Sequence, residues 1–236
     1  MPAYNAEKTL EYVYKKIPKD WYDEIILVDD NSKDNTYREA KRLGIESYKN
    51  KKNVGYGGNL KVCFEKALRK GADIIVELHP DGEYDPSAIN PAVAKIIKGA
   101  GLVLGNRFAH SPLSRGMYTW KYIPSKILSL IQAKILNIPI SDLHQGFRAY
   151  SRKLLEGINF RKNSNNYLFS FEVITQAVYL DMKISQVPVI CHYEGKKRGA
   201  SLTNSVLYTM GTFDVLALFL LSKYRIIRHH MFRGLE

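Results

Sequence analysis

The sequence predicts an α/β fold: a mostly parallel, twisted sheet flanked by helices, followed by a helical tail. Three observations carry this reading. Short apolar runs alternate with amphipathic stretches over the first hundred residues, the pattern of strands joined by crossover helices. Two of those runs end in carboxylates, Glu24-Ile25-Ile26-Leu27-Val28 before Asp29-Asp30 and Ile74-Ile75-Val76-Glu77-Leu78 before His79-Pro80-Asp81-Gly82-Glu83. Beyond residue 203 the chain becomes strongly apolar and then cationic.

Met1-Pro2-Ala3-Tyr4-Asn5 has the chemistry of a loop, and a loop this early raises the expectation of a strand upstream. Leu10, Val13, Tyr14 and Ile17 recur at helical spacing and predict a helix over 6–17. A strand at 24–28, a helix at 35–43 and a strand at 45–48 follow. A loop at 50–57 leads into a helix at 58–70. Then come a strand at 73–78, a helix at 86–98 and a strand at 101–104. The pattern then changes to an irregular basic loop at 106–119 and a helix at 121–137. Asp142-Leu143-His144-Gln145-Gly146-Phe147-Arg148 precedes a helix at 168–181 and a strand at 183–190. The basic loop Glu194-Gly195-Lys196-Lys197-Arg198-Gly199 opens the tail. Residues 1–202 read as one domain and 203–236 as the tail.

Thirty-five Lys and Arg against 23 Asp and Glu give a net charge of +12, which calls for polyanionic partners. No basic motif interleaved with aromatics is present, so a nucleic-acid partner is excluded. Cys63 and Cys191 lie far apart without metal-ligand spacing and read as buried free thiols. No run approaches the ~20 apolar residues that span a bilayer. Val215-Leu216-Ala217-Leu218-Phe219-Leu220-Leu221, followed by Lys223, Arg225 and Arg228, instead suggests a helix lying in the headgroup region. Helix 121–137 adds Ile127, Leu128, Leu130 and Ile131 among Lys121, Lys126 and Lys134. The alternative is that both helices pack on the domain, on a second copy in a homodimer, or on an integral-membrane partner.

Ligands of open α/β sheets bind at the C-terminal edge of the strands. Two strands delivering carboxylates to that edge suggest a site for a divalent metal and a nucleotide. Four motifs then stand in order: Pro2-Ala3-Tyr4-Asn5, Val28-Asp29-Asp30-Asn31-Ser32, Asn53-Val54-Gly55-Tyr56-Gly57-Gly58-Asn59 and Asp81-Gly82-Glu83-Tyr84-Asp85-Pro86. Together they resemble family 2 glycosyltransferases of the GT-A (Rossmann-like) fold. Gly105-Asn106-Arg107-Phe108, Asp142 through Arg148 and Val187-Pro188-Val189 narrow the resemblance to the branch containing dolichyl-phosphate mannose and glucose synthases.

The resemblance implies roles position by position. Pro2, Ala3 and Tyr4 would line the nucleobase pocket with Glu7 nearby, and Asp29 or Asp30 would accept a hydrogen bond from base or ribose. The structural alternative for that acid pair is a turn and helix cap. Gly55, Gly57 and Gly58 would let the backbone pass close to the nucleotide. Asp81 matches the second acid of the family's Asp-x-Asp, and Glu83 matches a position where some members offer Gln. Oxygen donors suit Mg2+ or Mn2+, with substrate phosphates completing the shell. His79 replaces the first acid; it would be a poor Mg2+ ligand and an acceptable Mn2+ ligand, or a neutral donor behind the site. Arg107, Lys121, Ser125, Lys196 and Arg198 would hold an acceptor phosphate. Asp142 would face the sugar, orienting a donor hydroxyl or Arg148, and Glu172 could face it too.

The implied activity is inverting transfer of a sugar from a nucleotide-diphosphate sugar to a polyprenyl (dolichyl) phosphate, by a peripheral protein on the cytoplasmic face of the membrane. Asp81, Asp142 and Arg148 are the catalytic candidates. Two other readings stay open. One is a family 2 transferase acting on a glycan or other hydroxyl, which needs a general base near Asp142 or Glu172. The other is a degenerate homologue that binds nucleotide sugar without turnover.

Overall fold

The structure, a computed structural model, describes residues 1–193 and 202–232. Seven strands build two sheets. β1 (Pro2–Ala3), β2 (Ile26–Asp29) and β3 (Glu46–Lys49) form a parallel sheet in that order. β4 (Ile74–Glu77), β5 (Leu102–Asn106), β6 (Arg148–Ser151) and β7 (Ile184–Pro188) form a second, ordered β4-β6-β5-β7. β5 and β7 are parallel, whereas β6 runs antiparallel to both β4 and β5.

Helices α1 (Glu7–Lys15), α2 (Thr36–Arg42), α3 (Tyr56–Arg69) and α4 (Ile89–Ile97) follow the strands of the first half as the alternation predicts. Later come α5 (Thr119–Leu136), α6 (Arg152–Gly157), α7 (Leu168–Tyr179) and α8 (Leu202–Lys223). Each amphipathic helix buries its stripe. Leu10 and Val13 of α1, Ala92 and Ile96 of α4, and Leu60, Phe64 and Ala67 of α3 all lie inside. α7 is buried on nearly every side, from Phe169 to Ala177, because α3 lies to one side of it and α8 to another. The largest cluster joins Phe64, Leu102, Leu104, Tyr150, Phe160 and Phe169 with Val215 and Phe219 of α8.

Four elements differ from the sequence reading. Pro2–Ala3 is strand rather than loop: Val28 N–H donates to Met1 O and Asp30 N–H to Ala3 O. Strand β6 and helix α6 had no periodic signal, being only 4 and 6 residues long. The tail also corrects the span estimate, since Thr203–Lys223 is 21 residues long, reaches mean hydropathy 1.6 over an 18-residue window, and by length and composition could cross a bilayer. Its inner face does not face lipid: Val215, Leu216 and Phe219 belong to the core. Its other face exposes Val206, Leu207, Met210 and Phe213. α5 exposes Ile123, Ile127, Leu130 and Ile131, and its Gln132 Nε2 donates to Thr212 Oγ1 of α8 at 2.8 Å. Both cysteines are free and buried, as expected.

Candidate active site

The carboxylates predicted at the end of β2 are present but turned inward. Asp29 is fully buried; it accepts from Ser32 N–H and Oγ–H and faces Lys49 Nζ at 3.7 Å. Asp30 accepts from Val54 N–H at 2.9 Å, Gly55 N–H at 3.0 Å and Asn50 Nδ2 at 2.9 Å. Both carboxylates hold the loops that follow β2 and β3 together. The neighbouring loops are zipped together as well. Asn5 N–H donates to Ser32 Oγ, Lys33 N–H to Asn5 Oδ1, and Asn35 N–H and Nδ2 to the Glu7 carboxylate. Pro2 and Ala3 sit in β1 beneath this lattice, and Tyr4 is left 49% exposed above it.

The glycine loop serves a partner within the chain. A Cβ at Gly55 would lie 2.6 Å from Asn165 O, and one at Gly57 would lie 2.6 Å from Phe169 Cβ and 2.8 Å from Asn166 O. Gly57 and Gly58 N–H donate to Asn165 O, so the first free amides of α3 are capped by the 163–166 segment. The close approach that these glycines permit is to that segment. Glu172 caps the same segment, accepting from Ser164 N–H and Oγ–H, and is buried.

β4 carries the centre of the site. Glu77, its last residue, is buried and takes three donors: Tyr56 Oη at 2.7 Å, Tyr150 Oη at 2.6 Å and the ring of His79 at 3.0 Å. Arg148, opposite it in register on β6, stands 3.7 Å away. Burial alone would raise the pKa of this carboxyl. The His79 hydrogen bond, the Arg148 charge and the Tyr150 hydroxyl outweigh burial and hold it at about 2, so Glu77 is an ionised acceptor. His79 stacks on Tyr56 with ring centroids 5.7 Å apart, and Tyr56 stacks on Tyr167 at 5.0 Å. Beyond the Pro80 turn, Asp81 accepts Glu83 N–H at 2.9 Å, with Gly82 at φ +79° between them.

The donor chemistry suits a divalent metal shared with a substrate. Among the described residues no group of three or more His, Cys, Asp or Glu side chains could hold an ion by itself. Asp81 offers carboxylate oxygens and His79 a ring nitrogen. One or two protein donors beside substrate phosphates is the ordinary arrangement for Mg2+ and similar ions.

A second constellation forms after β5. Arg107 Nε donates to Asp142 Oδ2 at 2.8 Å and its Nη2 to Oδ1 at 2.9 Å, a two-point pairing that the Arg107 backbone N–H joins at 3.1 Å. Both residues are buried. Burial pushes the Asp142 carboxyl up, but the Arg107 charge and hydrogen bonds prevail and hold it below the usual range. Ser125 of α5 meets Arg107 Nη2 at 3.4 Å, and Lys121, one turn earlier, lies over the Trp120 ring at 5.1 Å. Arg107 and Ser125, both expected at the acceptor phosphate, therefore stand together, and Asp142, expected to orient a donor hydroxyl or Arg148, is paired with Arg107 and not with Arg148. Arg148 is buried against Glu77 and Tyr56, its Nη1 3.3 Å from the Tyr56 hydroxyl. Its Nε is buried without a hydrogen-bond partner among the described residues. Lys196 and Arg198 lie outside the described residues.

His144 joins this constellation to the tail. Its Nδ1 meets Tyr208 Oη of α8 at 2.9 Å, its ring stacks on Phe171, and its Nε2 is enclosed without a partner. Burial pushes its pKa down to about 3, so the ring is neutral. Sequence reasoning missed Glu77 and Tyr56. The available signal for Glu77 was an acid inside an otherwise apolar strand.

A carboxylate turn follows the C-terminal end of β4, and a buried guanidinium paired with a carboxylate follows that of β5. Residues 1–158 match the family described as Glycosyl transferase family 2, and the chain belongs to that family. It is 30% identical over 207 residues to UDP-N-acetylglucosamine–dolichyl-phosphate N-acetylglucosaminyltransferase of Methanococcus voltae, covering 80% of this chain and 82% of that one. It is 25% identical to polyprenol monophosphomannose synthase of Mycolicibacterium smegmatis, covering 80% and 74%. Glucosyl-3-phosphoglycerate synthase from Mycobacterium tuberculosis, crystallised with Mn2+, UDP-glucose and phosphoglyceric acid, shares the fold at TM-score 0.67 and 20% identity, covering 96% of this chain and 79% of that one. The protein is a glycosyltransferase.

Proposed function

We propose that this enzyme transfers a sugar, with inversion, from a nucleotide-diphosphate sugar to a polyprenyl phosphate at a membrane surface. The observation that carries the acceptor side is the Asp142–Arg107–Ser125 constellation, rooted on α5, whose outer face is apolar. A lipid phosphate needs both features, an anion-binding cation and apolar surface beside it. The names of the Methanococcus and Mycolicibacterium relatives support this acceptor class.

The chemistry is economical in protons. The acceptor phosphate oxygen forms a bond to the anomeric carbon while the bond from that carbon to the diphosphate breaks. The nucleoside diphosphate leaves with the electron pair. A phosphate monoester has a second pKa near ~6 and is already an anionic nucleophile, so no general base is required. A divalent metal, Mg2+ or Mn2+, would neutralise charge growing on the leaving diphosphate, and Asp81 with His79 or Glu83 are the residues that would hold it. Arg107, kept charged and aimed by Asp142, would bind the acceptor phosphate, with Ser125 and Lys121 beside it. Tyr4 would stack on the base within a pocket floored by Pro2 and Ala3. Arg148 acts at one remove, as the counter-charge of Glu77.

Residues 1–202 would form the catalytic domain. α8 and the segment after it would lie against the cytoplasmic face of the membrane together with α5, without crossing it. The test is transfer in proteoliposomes holding polyprenyl phosphate, with a panel of nucleotide sugars and Mn2+. Sugar should appear in the lipid fraction and vanish in Asp81→Ala. Transfer only to a soluble hydroxyl acceptor would overturn the lipid-phosphate reading.

A further inference from the structure

The geometry points to Glu77 as a positioning residue that fixes the His79 ring with Nε2–H toward itself and leaves Nδ1 as a nitrogen ligand for the divalent metal. The inference rests on the metal-assisted reading above and adds a residue and a ligand type to it.

Glu77 is an acceptor only. Tyr56 and Tyr150 hydroxyls already donate to it, and Arg148 lies opposite. A carboxylate ringed by those donors accepts from His79 Nε2 at 3.0 Å as well, which places a proton on that nitrogen. With Nε2 turned to Glu77, the other ring nitrogen is Nδ1, for which the structure gives no hydrogen bond to a described residue, and the side chain keeps 19% of its surface exposed. The ring has little freedom to turn away. Tyr56 stacks on it nearly parallel, at an interplanar angle of 9°. A Cβ at Gly146 would lie 3.3 Å from His79 Cδ2, so that backbone passes close as well. Histidines that bind metals characteristically give their other N–H to a carboxylate, which sets tautomer and orientation. Glu77 and His79 have that relation, two residues before Asp81 on the same strand end. A mixed oxygen and nitrogen donor pair favours Mn2+ over Mg2+, because Mg2+ takes oxygen ligands.

The test uses the full chain with Mn2+ and uridine diphosphate or guanosine diphosphate as probes, and no acceptor. Electron spin echo spectra of Mn2+ should show coupling to a histidine nitrogen that changes on 15N-histidine labelling and is absent in His79→Ala. Mn2+ affinity should fall about 10-fold or more in Glu77→Gln, the loss expected when such an orienting partner is removed. In a His79→Ala background the same change should cost nothing further. Equal losses in both backgrounds would mean that Glu77 acts only as the counter-charge of Arg148, and would overturn the inference. Should Glu77→Gln fold poorly, nitrogen NMR of the unaltered protein decides: protonation at Nε2 is expected, and protonation at Nδ1 refutes the assignment. These readouts do not involve the acceptor. Nitrogen coupling without lipid transfer would sink the proposed function alone, and lipid transfer without nitrogen coupling would sink this inference alone.

Discussion

At the scale of single residues the site depends on two buried carboxylates, each tied to a cation. Asp142 holds Arg107, and Glu77 holds Arg148 and His79. Removing one partner of a buried pair leaves an unpaired charge and costs about 3–5 kcal/mol, whereas replacing both with apolar groups can be neutral. Asp142→Asn should therefore lower stability in denaturant unfolding and abolish transfer. Arg107→Met with Asp142→Leu should regain much of the stability and none of the activity. pH should act on the same groups. His144 titrates at 6.5 when unfolded and about 3 when folded, and Glu77 at 4.5 and about 2. In both cases the unfolded chain binds more protons in that interval, so stability is full above the upper value and declines as the pH falls. Thermal melts should weaken from about pH 6.5 downward in the parent, and only from about pH 4.5 in His144→Gln. The sequence made Arg107, Ser125 and Asp142 legible through their motifs. It could not reveal the partner of Asp142, because pairing across 35 residues of chain depends on how α5 returns to β5.

At the scale of elements, the alternating first half was legible because each strand and helix there has its own period. β6 was not: Arg148-Ala149-Tyr150-Ser151 is short, begins with a buried charge and is defined by its antiparallel neighbours rather than by its own pattern. The glycines of the 55–58 loop were legible as glycines but not in purpose, since what they approach lies about 110 residues away. Gly57→Ala would push a methyl group against Phe169 Cβ and the Asn166 carbonyl. Overpacking of that kind costs about 1–3 kcal/mol. Chemical denaturation should place the variant at that deficit, and hydrogen exchange should show the loss first at Gly57 and Gly58. An unchanged stability would mean that the 163–166 segment yields freely.

For the whole molecule, the telling feature is the apolar outer faces of α5 and α8. Ile127, Leu130, Leu207 and Met210 are exposed on helices that the Gln132–Thr212 hydrogen bond joins. Exposed apolar surface of this kind marks a docking face, and the net charge of +12 suits anionic lipid. Ile127→Glu with Leu130→Glu should release the protein from anionic vesicles in flotation while leaving its melting temperature within a few degrees. The central claim is that a polyprenyl phosphate is the acceptor. The measurement that tests it most directly is sugar transfer from a panel of nucleotide sugars into the lipid fraction of proteoliposomes with Mn2+ present. The account predicts a sugar-phosphate lipid from one donor, lost in Asp81→Ala and strongly reduced in Arg107→Ala. Turnover of that donor onto a hydroxyl acceptor, with no lipid product and no dependence on Arg107, would contradict it.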